Sequence, residues 1–592
     1  MVSTSATQST SDITCDVAII GGGPGGSTTG SLLKKYRPTL KVCIFEKEKF
    51  PREHIGESQL PPIGDVLAEM GCWDKVEAAN FPIKIGATFR WGRTPELWDF
   101  EFLPLKDFKP EPRPAKYEGQ RRQTAWQVER AIYDDILLKH AAELGCEVCE
   151  ETQVGQVERD GDRVTALVLR DGRRVTARHY VDASGHVGIL RRTMGVQIDL
   201  PTKLMNIAIW NYWDDAQWAV EIGVGGTRIQ VMSLTDGWMW FIPIGQSRAS
   251  LGFVCPAEYF KKSGKTPEEL YEEVIKRDDR IARLIANAHR SDVLRTTKDW
   301  SFVSERCFGE NWFLVGEAAG FADPILSAGL TLTHAGGREL AYTIRALDEG
   351  DHDRDWLRSC YCRTQRARVR QHIRFADYWY AANGQLSDLK DHCATIARDS
   401  GMPMAPEAAW RWIAQGGFSN DVLGQAGLGG YDVAGVKSAI QVFANRLTKW
   451  ALSDYNVFEL DLAGATVIDM PEYLNGEVVK IPCYQRDGHL LPTHGTFGKV
   501  IDTLHAVSDA EDIVKRLKGT FGATMSPAHA AVFFEKAMQC LEVMLAEGWV
   551  KGRLNRKKPK LNVSTPSLKD GRIVHSHDPN EERAPEPDRA GA

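Results

Sequence analysis

The stretch CDVAIIGGGPGGSTTGSLLKKY, residues 15–36, determines the fold expected for the N-terminal part of this chain. It starts with a short apolar run, continues through a glycine-rich turn and ends in a segment with helical spacing of its apolar residues. A second apolar run, TLKVCIFEKE, follows directly. Short apolar runs bounded by glycines are typical of buried parallel strands, and the segment between them suits a crossover helix. The stretch therefore predicts a βαβ unit in a domain of the α/β class.

The glycine-rich turn contains the pattern GxGxxG at Gly21, Gly23 and Gly26. The first glycine permits the tight turn, the second lets a pyrophosphate approach the backbone, and the third lets the helix lie close to the strand. Glu46 ends the second strand, where a carboxylate can accept hydrogen bonds from ribose hydroxyls. Together these features predict a Rossmann-type domain that binds a dinucleotide.

Two later segments favour FAD over NAD as this dinucleotide. In FLVGEAAGFADPILSAGLTLTHAGG, residues 313–337, a strand is expected to end at Gly316, and Asp323 precedes a glycine-punctuated helix start. This layout offers a carboxylate near a ribityl chain and backbone N–H groups near the electron-rich edge of a flavin. In WQVERAIYDDIL, Gln127 and Arg130 open a helix and are placed to contact the adenosine half. Either segment alone is also compatible with an ordinary helix start.

Changes in the apolar pattern along the 592 residues predict several domains. Residues 14–200 and 290–345 are expected to form a discontinuous FAD-binding domain, and residues 201–289, which alternate as strands do, an antiparallel substrate region. The pattern is helical over 346–450 and mixed over 451–553, and residues 554–592 are expected to be disordered. The fold class expected is α/β, or α+β for the chain as a whole.

Composition and charge argue against several classes of partner. The net charge of −6 and the charged fraction of 26% do not favour nucleic acid or an anionic membrane. The sequence has no apolar run long enough to cross a bilayer, and its polar N-terminus lacks the layout of a secretory signal, so a cytoplasmic protein is expected. Cys146 and Cys149 have CxxC spacing without a second pair, and no metal site is predicted.

The segment GWMWFIPIG, residues 237–245, places Trp238 and Trp240 on one side of a strand that stops at a proline. Core packing alone can explain such an alternation. A role beside the FAD site is the other interpretation, and the motifs around this segment decide between the two.

Those motifs resemble a known family. The order GGGPGG, PREHIGES, WQVER, DASG and GEAAGFADP is similar to the flavin monooxygenase superfamily, whose FAD domain is of the glutathione-reductase type. More narrowly, FPREHIGESQLP, KIGATFRWG and WMWFIP resemble the flavin-dependent halogenases, and the chloramphenicol-pathway type, with its extra C-terminal domain, is the most similar. The resemblance extends over roughly residues 14–380.

The resemblance implies an FAD-dependent halogenase that uses FADH2, O2 and chloride or bromide to form hypohalous acid. It implies that Trp238 and Trp240 form a wall between the flavin and a tunnel, and that Lys84 directs the electrophilic halogen to the substrate. Lys84 would do so either by hydrogen bonding hypohalous acid or as a haloamine, and burial would lower its pKa. Without the motif around it, Lys84 reads as a surface lysine.

The resemblance also implies further site residues. The expected neighbours of the halide are Pro324, Ser327, Ala328 and Gly329, whose backbone amides can bind an anion. Glu57 is expected to approach the flavin, with a helix cap as its structural alternative. Asp299 is a candidate for covalent attachment to the flavin methyl group, and a turn aspartate in solvent is the equally open alternative.

The partners expected follow from the same resemblance. A separate NAD(P)H-dependent flavin reductase is expected to supply FADH2, and the sequence contains no second nucleotide-binding pattern. The substrate is expected to be an electron-rich aromatic of a natural-product pathway such as antibiotic biosynthesis, either free or tethered to a carrier protein. Residues 390–592 are interpreted as a carrier-docking module, a lid or a homodimer contact. The competing hypothesis is an FAD-dependent aromatic hydroxylase, or a polyprenyl reductase, of the same superfamily.

Overall fold

The computed structural model describes residues 12–91, 97–103, 108–109, 111–202, 205–218, 226–291, 293–383, 450–487, 489–523, 527–560 and 573–575. The strands are β1 Ile13–Ile20, β2 Val42–Phe45, β3 Ile83–Arg90, β4 Trp98–Glu101, β5 Ala125–Trp126, β6 Glu147–Cys149, β7 Val154–Asp160, β8 Arg163–Leu169, β9 Arg174–Asp182, β10 Ile198–Asp199, β11 Met205–Asp214, β12 Gly226–Leu234, β13 Gly237–Pro243, β14 Ala249–Pro256, β15 His289–Arg290, β16 Arg295–Trp300, β17 Phe302–Ser304, β18 Trp312–Leu314, β19 Gly320–Phe321, β20 Val457–Leu460, β21 Thr466–Leu474, β22 Glu477–Arg486, β23 His489–Pro492, β24 Val550–Arg553 and β25 Ile573–His575.

The helices are α1 Pro24–Tyr36, α2 Pro62–Met70, α3 Trp73–Ala78, α4 Arg130–Glu143, α5 Ile189–Thr193, α6 Ala257–Ser263, α7 Pro267–Val274, α8 Asp279–Leu284, α9 Gly329–Glu349, α10 Arg354–Asn383, α11 Gly495–Ala506, α12 Ala510–Gly522 and α13 Pro527–Ala546. Among these described helices, none combines the length and the apolar composition that a membrane span requires.

The first sheet carries the predicted βαβ unit. Its strand order is β6-β2-β1-β9-β8-β7, with β18 beside β9, and β1 runs parallel to both β2 and β9. The strand β2 is buried along its whole length, as its continuous apolar run predicts. The α/β class expected from the sequence is confirmed. The helix expected from WQVER onwards begins only at Arg130, because Ala125–Trp126 instead pair with β3.

The second sheet is larger and mostly antiparallel. Its order is β15-β11-β14-β13-β12-β3-β4-β25, with β16 paired to β11 and β5 paired to β3. The strands β12 and β13 are buried at every position. The strand β3 joins this sheet although it lies within residues 14–200, and it pairs in parallel with β12. Residues 573–575 of the tail, where disorder was expected, form a strand that pairs with β4.

The C-terminal part has a hydrophobic core of its own, formed around the helices α11 to α13. Its hairpin β21–β22 contacts both α9 and α10. Arg345 Nη1 donates to the carbonyl of Gly476 at 2.8 Å, and His352 Nε2 lies 2.8 Å from the carbonyl of Val478. Of the helical region predicted for 346–450, residues 384–449 lie outside the described part of the chain.

Candidate functional site

A cavity of about 610 Å³ opens between the two sheets and brings most of the predicted site residues together. The predicted residues that line it are Gly21, Gly23, Glu46, Glu57, Arg130, Trp238, Trp240, Gly316, Asp323, Pro324, Ser327 and Gly329. Gly26, Lys84, Gln127 and Ala328 are not among its lining residues. Asp299 belongs to β16, but its side chain lies outside the described part of the structure.

The glycine-rich turn is shaped as a phosphate cradle requires. Gly21 has a φ of +104°, a conformation that favours glycine, and a Cβ added to Gly26 would lie 2.0 Å from the Gly21 carbonyl oxygen. Glu46 accepts hydrogen bonds from the backbone N–H of Gly22 at 2.7 Å and of Glu48 at 2.9 Å, which fixes its carboxylate at the cavity wall. These residues fit a dinucleotide with its pyrophosphate at the α1 N-terminus.

Arg130 holds the loop of residues 52–58 over the cavity. Its guanidinium makes a bidentate contact with the buried Asp134, at 2.7 and 2.8 Å, and its Nη1 donates to the Ile55 carbonyl at 2.7 Å. Both carboxylate oxygens and the loop backbone are therefore paired with one rigid guanidinium. Gln127 is fully buried, and its side-chain amide has no hydrogen-bond partner among the described residues. Its predicted contact with the adenosine half stays a prediction.

Glu57 is a buried carboxyl group at the cavity wall. Tyr212 Oη donates to its Oε1 at 3.1 Å, and the Gly56 N–H donates to its Oε2 at 3.1 Å. Burial raises the pKa of Glu57 above its ordinary value, and these two donors oppose that shift. Glu57 therefore lies at the cavity wall with its carboxyl group hydrogen-bonded, and its approach to a flavin stays a prediction.

The two tryptophans of β13 form one face of the cavity. Their ring centroids are 6.0 Å apart, and only 2% of Trp238 and 4% of Trp240 is exposed. Trp240 Nε1 donates to Ser250 Oγ at 3.1 Å, and its ring lies across Gly252 on β14, where a Cβ would be 2.1 Å from Cζ2. The rings are thus fixed by packing and hydrogen bonds at the border of the cavity, and their role as a wall stays a prediction.

Lys84 lies away from this cavity. It belongs to β3, and β12 separates β3 from the tryptophan-bearing β13 in the second sheet. The side chain is 1% exposed, not the surface lysine that was the alternative, and Nζ lies 5.4 Å from the centroid of the Phe102 ring. Burial lowers the pKa of Lys84 to about 7. An amine that is partly neutral at physiological pH is suited to react with an electrophile.

The residues proposed to hold a halide form the turn that leads into α9. Asp323 Oδ1 accepts from the Ile325 N–H at 2.9 Å, and Ser327 adopts a left-handed φ of 58°. Gly329 then begins the 21-residue helix α9, whose first N–H groups have no intrahelical partner. Because the N-termini of α1 and α9 both lie at the cavity, it offers two places with positive potential for anions.

Glu317 and Tyr380 are two of the residues at or near this site that were not predicted from the sequence. Glu317 lines the cavity, and burial raises its pKa. Its position next to Gly316 was the signal that could have identified it. Tyr380 of α10 was missed because it belongs to no motif, and its hydroxyl contacts both Trp238 and Asp323.

Comparisons with known proteins agree with this geometry. The family model described as tryptophan halogenase matches residues 16–111 and 105–389. The 1H-pyrrole-2-carbonyl-[peptidyl-carrier protein] chlorinase of Pseudomonas fluorescens is 33% identical over 333 residues, which are 54% of this chain and 74% of that protein. The tryptophan 2-halogenase of Chondromyces crocatus is 30% identical over 357 residues, 58% of this chain and 64% of that protein.

A solved structure resembles nearly the whole chain. The crystal structure of CmlS, a flavin-dependent halogenase, matches with a TM-score of 0.67 and 25% identity, over 94% of this chain and 98% of that one. The similarity therefore includes the C-terminal part, which lies beyond the region that the family model matches.

Proposed function

Because the chain belongs to the tryptophan halogenase family of FAD- and halide-dependent enzymes, we propose that it halogenates an electron-rich aromatic tethered to a carrier protein. The observation that favours a halogenase over a hydroxylase is that the buried amine of Lys84 lies outside the cavity that the two tryptophans line. Trp238 and Trp240 line the FAD cavity, whereas Lys84 is buried on a strand two positions away. The tethered substrate is supported by the similarity to a chlorinase that acts on a carrier-bound pyrrole.

When bound, FAD reduced by a separate flavin reductase would supply the two electrons that bring O2 to the oxidation level of peroxide, and oxygen at that level oxidises chloride or bromide to hypohalous acid with release of water. The residues of this chain bind the cofactor and the halide, exclude the substrate from the flavin and direct the halogen. The glycine-rich turn and Glu46 bind the dinucleotide, and the turn from Pro324 to Gly329 binds the halide through backbone N–H groups. Trp238 and Trp240 keep the aromatic substrate away from the flavin, so oxygen is not inserted into it directly.

Lys84 is proposed to hold the electrophilic halogen next to the substrate. Replacing Lys84 with methionine keeps the length and apolar packing of the side chain but removes the amine. We expect Lys84→Met to lose at least about a hundredfold in halogenated product, as for loss of a group that acts directly in the reaction. Hypohalous acid formation, measured by chlorination of a small diffusible trap, should stay within about twofold of wild type, since Lys84 does not line the FAD cavity. Unchanged product yield would overturn this role.

The choice between a tethered and a free substrate needs a direct comparison. Wild-type enzyme with FAD, a flavin reductase and NADH is incubated with phenol, pyrrole and indole acids, both free and as carrier thioesters, in chloride or bromide. Mass spectrometry then detects the halogen isotope pattern. Halogenation confined to the thioesters supports the proposal, and halogenation of free acids alone contradicts it. A product that gains only oxygen would favour the alternative, an aromatic hydroxylase.

Covalent attachment of FAD at Asp299 is a separate proposal. The strand β16 supports it only by position, since Thr297 of the same strand lines the cavity and positions 297 and 299 share a strand face. Acid precipitation of the wild-type protein should give a yellow pellet, and Asp299→Asn a colourless one. A colourless wild-type pellet ends this proposal. The homodimer and the cytoplasmic location expected from the sequence stay predictions, the first to be checked by sedimentation of the holoenzyme.

A further inference from the structure

A chain of hydrogen bonds connects the tryptophan wall with the turn proposed to hold the halide. Trp238 Nε1 donates to Tyr380 Oη at 2.7 Å, and Tyr380 Oη donates to Asp323 Oδ1 at 3.3 Å. Asp323 Oδ1 in turn accepts from the Ile325 N–H at the start of that turn. All three side chains are at least 95% buried, so water does not compete for these bonds.

The hydroxyl of Tyr380 uses its full hydrogen-bonding capacity. A phenolic oxygen has one hydrogen to donate and accepts up to two. Asn206 Nδ2 supplies the second donor to it, at 3.4 Å, and the Tyr380 ring packs edge-on against Trp91 at 6.0 Å. With both acceptor positions and the donor occupied, the hydroxyl has one preferred orientation. A change at the turn is therefore transmitted to Trp238 through a fixed connection.

Burial of Asp323 makes this connection sensitive to the protonation of its carboxyl group. Burial raises the pKa of Asp323 to about 7, and Asp377, one turn before Tyr380 on α10, raises it as well. The Ile325 N–H, the Tyr380 hydroxyl and the Asn206 amide oppose the shift by stabilising the carboxylate. Thr202 Oγ1 donates to Asp377 from the other side.

We propose that Tyr380 is a positioning residue that couples halide binding to the placement of Trp238. A turn held by Asp323 keeps Tyr380, and through it the indole of Trp238, in the position that closes the wall. Loss of the Tyr380 hydroxyl uncouples the halide-binding turn from the Trp238 indole. The turn then binds halide more weakly, and the position of Trp238 no longer depends on the turn. This inference rests on the proposed halide site and names a residue that acts through that site without lining the cavity.

The test uses two matched pairs of variants. The first pair is Tyr380→Phe and Tyr271→Phe. Tyr271 also accepts from a tryptophan, Trp213 Nε1 at 2.9 Å, and donates to the Leu251 carbonyl at 3.0 Å, but it does not line or contact the cavity turn. Both variants lose a similarly buried hydroxyl, and only Tyr380→Phe breaks the connection.

The second pair is Trp238→Phe and Trp240→Phe. Both rings line the cavity, but Trp240 Nε1 donates to Ser250 and not to Tyr380. Chloride and bromide are titrated into each oxidised holoenzyme, and the flavin absorbance reports the dissociation constant. The FAD dissociation constant and the hydrogen peroxide released per FADH2 oxidised are measured alongside.

Tyr380→Phe and Trp238→Phe are expected to raise the halide dissociation constant roughly fivefold or more, as the loss of one buried hydrogen bond implies. Their effects should be less than additive in the double variant. Peroxide release should rise with Tyr380→Phe, while the FAD dissociation constant stays unchanged. Tyr271→Phe should leave the halide dissociation constant unchanged, and Trp240→Phe should raise it less than Trp238→Phe does, because Trp240 donates to Ser250 and not to Tyr380.

Equal halide affinity in Tyr380→Phe and Tyr271→Phe would overturn the positioning role and leave the proposed function intact. If Tyr380→Phe does not fold, equal halide affinity in Trp238→Phe and Trp240→Phe overturns it instead. If the wild-type holoenzyme shows no saturable halide binding, the halide site itself is wrong, and the inference fails with it.

Discussion

The replacement of Gly252 by alanine tests the tryptophan wall directly. The added Cβ would lie 2.1 to 2.5 Å from Cζ2, Cη2 and Cε2 of Trp240, where ordinary contacts begin at 3.4 Å. The indole must therefore move by roughly 1.3 Å, and its hydrogen bond to Ser250 is stretched or lost. Overpacking of this kind costs about 1–3 kcal/mol, and loss of the hydrogen bond adds about 1 kcal/mol.

Urea unfolding of the holoenzyme gives the stability change, and peroxide release per halogenated product gives the functional one. We expect Gly252→Ala to be less stable than wild type and to release more peroxide, since the displaced ring no longer closes the cavity. Gly519→Ala is the control, because a Cβ there meets no atom within 4 Å. In a Trp240→Phe background, whose ring is smaller, Gly252→Ala should cost less. If Gly252→Ala has the stability of wild type and releases the same amount of peroxide per halogenated product, the proposed wall of Trp238 and Trp240 is refuted.

Three further predictions concern buried groups. Lys84→Met is expected to be more stable than wild type at pH 7, by up to roughly 4 kcal/mol. Burial lowers the folded-state pKa of Lys84 below its unfolded pKa near 10.5. The wild-type protein is therefore most stable above pH 10.5 and loses stability as the pH decreases to 7. The unfolding temperature of the variant should change less between pH 7 and pH 10 than that of wild type. Equal changes in the two proteins would contradict this prediction. Gly26→Ala should lose FAD, with bound flavin measured after gel filtration, because its Cβ would overlap the Gly21 carbonyl; retained flavin would disprove the cradle. Tyr212→Phe should cost about 1–3 kcal/mol in urea unfolding, because buried Glu57 loses a donor, and no loss would show that water replaces the hydroxyl.

Parts of the fold were predictable because their rules act over a few residues. The turn from Gly21 to Gly26 needs glycine for reasons of local backbone geometry, so the pattern, the strand before it and the helix after it were all expected and are confirmed. The start of α4 was expected too early, because the pairing of residues 125–126 with β3 depends on a strand about forty residues away. Apolar periodicity cannot indicate such pairing.

The candidate site also contains residues that the sequence could predict and residues that it could not. Most of the site residues that the motifs predicted line the cavity, since binding a pyrophosphate or a flavin requires particular residue types at fixed spacing. Tyr380 could not be found, because a tyrosine in a helix carries no sign of the two partners it meets 142 and 57 residues away. The contacts of the hairpin β21–β22 with α9 were equally invisible in the sequence, since they use backbone carbonyls that every residue has.

By itself the sequence determined which chemistry this chain can perform: a dinucleotide cradle, a pair of tryptophans on one strand and a lysine within a recognisable motif. Only the tertiary structure decided how those groups behave. The pKa of Lys84 falls to about 7 because the strands around it remove water from the amine, and Asp323 becomes a weaker acid for the same reason. Desolvation and hydrogen-bond geometry are set by neighbours from distant parts of the chain, and these neighbours exist only after folding.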